Sequence, residues 1–178
     1  IKLLIVDQAF RIGDWIEAPS IGNGTVEEVT LSTIKIRKFS KAVQTVPNGV
    51  IAAEPIINWS RMSNRRIKMD IGLTYDTTSE QFEIILANLR SFIATDDRVD
   101  HSVTEMVHMT HFNDSSININ LYYFTTTTNW EEWRSIQEEH MLAFVRIVEE
   151  AGACMAFPTR TVHVEGWPER LQMTEDPS

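Results

Sequence analysis

Five histidines, one cysteine and several adjacent acid pairs are the residues of this chain best able to do chemistry. His108 and His111 stand closest together, but they fall in a run, Met106 to Phe112, that reads as a β-strand. Residues three apart on a strand face opposite sides, so regular alternation predicts that these two imidazoles do not share a metal ion. His140 recurs with Trp133, Ile136, Phe144, Ile147 and Val148 at helical spacing, the position of a satisfied core or interface histidine. Cys154 sits among Met155, Ala156 and Phe157, a setting for inert packing, with no base nearby in sequence to activate a thiol. A lone cysteine excludes an intramolecular disulfide and a Cys-based zinc site, and it points to a reducing compartment. Glu27-Glu28, Asp96-Asp97 and Glu138-Glu139 are adjacent pairs whose side chains point apart, and they read as solvated surface. The expectation is no catalytic residue, no metal, no cofactor and no enzyme.

Basic residues offer a different chemistry. Lys35, Arg37, Lys38 and Lys41, with Trp15 or Phe39 to stack bases, resemble an RNA-binding surface. Residues 1–68 carry ten Lys/Arg against six Asp/Glu, whereas residues 69–178 carry six against nineteen. The acidic second half would repel polyanions, so nucleic acid is not expected as a partner. A basic segment beside an apolar start also fits the cytoplasmic face of a membrane. Gly22-Asn23-Gly24 could cradle a phosphate only before a helix N-terminus, and the β-rich Thr25-Val26 that follows argues for a turn instead.

The elements that position these groups follow from hydrophobic period. With 43% hydrophobic residues the chain can build a real core. Between Gly13 and Arg61, short apolar runs punctuated by Gly, Asn and Pro predict about five antiparallel strands in a small barrel. The predicted strands are Trp15 to Glu17, Thr25 to Leu31, Thr33 to Lys38, Ala42 to Val46 and Ile56 to Trp59. Gly24, Pro47, Asn48 and Gly49 are expected to set its turns, and Val50 to Ala53 one helical turn. Ser60 to Arg66 reads as a linker. Beyond it, Ile67 to Leu73 alternate as a strand, and Thr77 to Gln81 form a capping box before a helix. Strands follow at Met106 to Phe112 and Ile117 to Phe124, then a helix capped by Asn129, then a strand over Phe157 to Val164. Strand, helix, strand, strand, helix, strand is the ferredoxin-like order. The expected divisions are 1–12 as a lead-in, 13–61 as a five-stranded, Sm-like antiparallel barrel, 62–166 as a ferredoxin-like βαββαβ domain, and 167–178 as a tail. Ile1 to Val6 is too short to span a bilayer, which takes ~20 residues; it reads as a first strand or as the end of a helix.

Gly13-Asp14-Trp15-Ile16, Gly24-Thr25-Val26-Glu27-Glu28-Val29, Val46-Pro47-Asn48-Gly49 and Ile57-Asn58-Trp59-Ser60-Arg61 resemble, in this order and spacing, the barrel domain of the small-conductance mechanosensitive channel (MscS) family. Arg65-Arg66, Leu73-Thr74-Tyr75-Asp76 and Phe157-Pro158-Thr159 continue the resemblance over nearly the whole chain. The chain departs from it at Glu54-Pro55, where many members carry small residues. The resemblance implies a homoheptamer in the bacterial inner membrane that opens under tension and releases ions and small solutes in hypoosmotic shock. Its partners would be its own copies, upstream transmembrane helices and the inner-leaflet surface, with this region on the cytoplasmic side. Ile1 to Val6 would then be the end of the pore helix, and Asn58, Ser60 and Arg61 would lie at the domain junction where portals open. The alternative is a soluble RNA-binding or small-ligand-binding module of the same two domains.

Overall fold

The computed structural model describes residues 9–158. They divide into two compact units, one running to Arg65 and taking in Thr126–Thr128, the other covering Arg66–Thr125 and the chain from Asn129 onward.

In the first unit, β1 (Trp15–Ala18), β2 (Gly22–Val29), β3 (Thr33–Arg37), β4 (Val43–Pro47) and β5 (Ile57–Asn58) form one sheet in the order β4-β3-β2-β1-β5. Each neighbouring pair is antiparallel. Alternation drives one face inward: Ile16 and Ala18 from β1, Val26 from β2, Ile34 and Ile36 from β3 and Val46 from β4 are buried. Helix α1 (Asn48–Ala52) adds Ile51, and Phe10 and Ile21 complete this core. The five strands lie where expected, but among the described residues no ladder joins β4 to β5. The sheet is therefore open, because β5 is only two residues long before the chain enters a 3-10 turn at Trp59–Arg61.

The second unit is a three-stranded antiparallel sheet backed by two helices. Its strands β6 (Arg65–Leu73), β7 (Met106–Phe112) and β8 (Ile117–Thr125) take the order β6-β8-β7. The turn before α2 (Ser79–Thr95) is the capping box read from sequence, with the Thr78 hydroxyl accepting from the Gln81 amide and the Gln81 side chain accepting from the Thr78 amide. Asn129 caps α3 (Trp130–Glu150) by accepting from the amides of Glu131 and Glu132. Gly152 ends that helix at φ 69°, a conformation a glycine adopts without steric cost. Ile67, Ile71, Leu73, Ile119, Leu121 and Tyr123 from the sheet meet Phe82, Ile85, Leu89, Ile136, Phe144 and Val148 from the helices. Most of the strand expected over Phe157 to Val164 lies outside the described residues; before it, Met155 makes an isolated antiparallel bridge to Leu73. The lead-in over Ile1 to Val6 lies outside them as well.

Two features differ from regular alternation. A bulge between Val26 and Glu28 shifts β2 against β3, bringing Glu28 to Lys35 and Glu27 to Arg37, each at 2.6 Å. A second bulge interrupts β7 between Met109 and His111: His108 lies opposite Asn120 and His111 opposite Asn118. Asn118 and Asn120 share one face of β8, so His108 and His111 share that face as well. The expectation that they point apart is corrected by the extra residue, Thr110, which resets the period.

Candidate functional site

The residues singled out in the first unit form two groups. Asn58 ends β5 and caps the 3-10 turn, accepting from the Ser60 amide at 3.1 Å. Its amide nitrogen donates to the Ala9 carbonyl at 3.0 Å and to Asp14 Oδ2 at 2.7 Å. The same Asp14 oxygen accepts from the Arg11 amide at 2.9 Å. Ser60 Oγ accepts from the Trp15 amide at 2.8 Å, and Trp59 Nε1 donates to Glu17 at 2.8 Å. The bond from Asn58, the Arg11 amide and the charges of Arg61 and Arg11 hold the Asp14 carboxyl below its usual range. Asn58, Ser60 and Arg61 thus meet at one place, where the segment before β1 is tied to the end of β5. Asp14 is the centre of that tie; beside Gly13 the sequence reads only as punctuation.

The second group is at the end of β4. Pro47 precedes α1 with an extended backbone, and Asn48 and Gly49 open the helix. The Asn48 amide donates to the Ser32 carbonyl at 2.9 Å and its side chain to the Thr30 carbonyl at 3.0 Å, so α1 is sewn to the β2–β3 turn. Asn48 and Gly49, expected to set a turn, lie in the first turn of α1; among the described residues the positive-φ glycines are Gly13, Gly22 and Gly152. Gly24 lies inside β2, not in a turn. A β-carbon there would stand 2.5 Å from Ile36 Cγ2 and 2.8 Å from the Arg37 carbonyl oxygen, so close approach of strands requires the glycine. Glu54, at the departure from the family pattern, accepts from the amide and hydroxyl of Ser20 at 3.0 and 2.8 Å.

In the second unit a polar network crosses the core. His140 is fully buried, with Nδ1 2.8 Å from the Tyr123 hydroxyl and Nε2 2.9 Å from Asp96 Oδ2. Asp96 also accepts from the amide, Nε and Nη2 of Arg98, whose Nη1 donates to Glu139 at 2.6 Å. Burial lowers the pKa of His140 against the opposing pull of Asp96. With the imidazole neutral, one arrangement satisfies every atom: Tyr123 donates to Nδ1, and Nε2–H donates to the carboxylate. Arg98 holds Asp96 far below the usual carboxylate range, while burial pushes the Tyr123 hydroxyl well above the usual phenol range. The helix period identifies His140 as a core histidine; Asp96, read as solvated, is its partner. His140 and Tyr123 are buried among aromatic rings, whereas Asp96, Arg98 and Glu139 carry the network out to the surface. Cys154 is exposed, contrary to the packing expected, because Ala153 and Met155 on either side take the inward positions. Among the described residues no three His, Cys, Asp or Glu are grouped to hold a metal. No described helix is long and apolar enough to cross a membrane. Lys35 and Arg37 are engaged by Glu28 and Glu27 in exposed ion pairs.

A small antiparallel β unit followed by an α/β unit with this strand order is the MscS-type fold. The chain belongs to the mechanosensitive ion channel family: residues 3–61 match "Mechanosensitive ion channel, beta-domain" and residues 67–155 match "Mechanosensitive ion channel MscS, C-terminal". It is 36% identical over 164 residues to the low conductance mechanosensitive channel YnaI of Escherichia coli, covering 92% of this chain and 48% of that protein. It is 29% identical over 166 residues to the small-conductance mechanosensitive channel MscMJ of Methanocaldococcus jannaschii, covering 92% and 46%. The chain thus spans about half the length of these curated relatives. The closed-state crystal structure of Helicobacter pylori MscS superposes with a TM-score of 0.78 at 20% identity, covering 93% of this chain and 63% of that one. Arabidopsis thaliana MSL1 gives 0.79 at 23%, covering 86% and 55%.

Proposed function

We propose that this chain is the cytoplasmic vestibule region of a channel that opens under membrane tension and releases ions and small solutes in hypoosmotic shock. The observation that carries this reading is that both units match the family in order, in a chain 36% identical to a low conductance mechanosensitive channel. In this reading the protein is a homoheptamer of the bacterial inner membrane, and its transmembrane helices precede Ile1. Seven copies close the small β unit into its Sm-like barrel ring, and the strand over 157–164 completes a ferredoxin-like βαββαβ sheet. Gly24, Pro47, Asn48 and Gly49 shape the β unit, and Asn58, Ser60 and Arg61 border the portals. The acidic balance of residues 69–178 fits a vestibule that favours cations.

The test is patch-clamp recording of the full-length protein in membranes lacking other mechanosensitive channels. Suction-activated currents and rescue of cells from hypoosmotic shock are expected. A full-length protein that reaches the membrane and conducts under no tension short of rupture refutes the proposal. Light scattering after size exclusion of the 178-residue chain reports self-association, with about seven copies expected in the ring.

A further inference from the structure

We propose that His108 and His111 form a surface site for a divalent transition-metal ion of the zinc or nickel class. The bulge in β7 creates it. His108 pairs with Asn120 and His111 with Asn118, two residues on one face of β8, so the bulge brings imidazoles three apart in sequence to the spacing of strand neighbours two apart. Both histidines are exposed, on the face of the sheet turned away from α2 and α3. Two imidazoles on one face of a strand suit zinc, nickel or copper, whereas magnesium and calcium prefer oxygen donors.

The neighbouring strands supply what two imidazoles lack. Asn120, directly opposite His108, gives its amide nitrogen to Asp70 Oδ1 at 2.8 Å and to the Met69 carbonyl at 3.5 Å. Its side-chain carbonyl oxygen offers a third, weaker donor. Asp70 adds a negative charge on the same face, and water completes the coordination. Ser116 donates to Asn118 Oδ1 at 2.8 Å, which fixes the side chain opposite His111. The site stands apart from the channel reading and holds whether or not the protein conducts.

Calorimetric titration of the tag-free 178-residue chain with nickel chloride tests it. One ion per chain is expected, and His108→Ala or His111→Ala should each weaken binding about tenfold or more, as loss of one of two ligands implies. His101→Ala is the control, since His101 pairs with Glu105 at 3.0 Å away from this strand. In a parallel zinc titration, the imidazole nitrogen signals of His108 and His111 should move together in NMR spectra. Because both side chains are exposed, the variants should fold; His108→Gln and His111→Gln provide a second pair that keeps a polar group at each position. Unchanged affinity in the double variant, dependence on His101, or a response from only one of the two imidazoles overturns the proposal.

Discussion

At the scale of single residues, two glycines that look alike in sequence have opposite reasons to be there. Gly24 is needed for space: a β-carbon would overlap Ile36 and the Arg37 carbonyl across the β2–β3 ladder. Gly24→Ala should therefore destabilise the first unit by about 1–3 kcal/mol, the usual cost of overpacking. Gly49 meets nothing within 4 Å and has no positive φ. Gly49→Ala, in the first turn of α1, should be neutral or stabilising by up to about 1 kcal/mol. Chemical denaturation of the two variants checks the contrast, and equal losses would contradict it. Asn58→Ala removes the donors to Ala9 and Asp14 together with the cap on Ser60, and about 1–2 kcal/mol of stability should go with them. Hydrogen exchange should then rise at Arg11 and Ser60, whose amides bond to Asp14 and Asn58. The residue types at these positions are legible in the sequence, but the reasons are not. That Gly24 faces a neighbouring strand, and that Asp14 is met by Asn58 forty-four residues away, depend on a register that only the folded sheet sets.

Elements are the scale at which the sequence is most readable. Strong periods mark the described strands of both units and the two long helices, and local cap chemistry at Thr78 and Asn129 marks where those helices start. Bulges escaped this reading because one extra residue inverts every side chain beyond it, and no residue type in Met109-Thr110-His111 announces the insertion. Asp96 escaped for a similar reason, since its partner His140 is on another helix. Their contact makes the joining of α2, β8 and α3 depend on pH. Burial lowers the His140 pKa below the usual 6.5, so the unfolded chain takes up that proton more readily. Its contribution is complete above about pH 6.5 and is lost as pH falls through that value toward the lower folded pKa. Asp96, held low chiefly by Arg98, contributes fully above about pH 4 and loses that contribution only as pH falls further. Stability of the second unit should decline in two acid steps. His140→Gln should flatten the upper step and leave the lower, while Asp96→Asn should remove the lower. A single step unchanged by either variant would rule this linkage out.

At the scale of the whole molecule, the separation of the two cores is the physical fact with the widest consequence. Among the described residues, every buried apolar residue of the first core lies between Phe10 and Ile51, and every one of the second between Ile67 and Ala153. Each unit carries its own sheet and its own hydrogen-bond network, so each is a candidate for cooperative unfolding by itself. The titrating groups are distributed unequally, because the buried imidazole lies in the second unit. Acidification from pH 7 to pH 5 is then expected to lower the opening free energy of amides in β8 and α3 while leaving those in β2 and β3 nearly unchanged. Gly24→Ala should do the reverse at either pH. Hydrogen exchange read peptide by peptide, on the 178-residue chain across that pH range, separates the responses once intrinsic exchange rates are corrected for pH. A uniform loss of protection across both units would mean that they unfold as one body. If the responses separate, acid acts on the second unit's fold alone, through a buried histidine at a fixed place between helix and sheet.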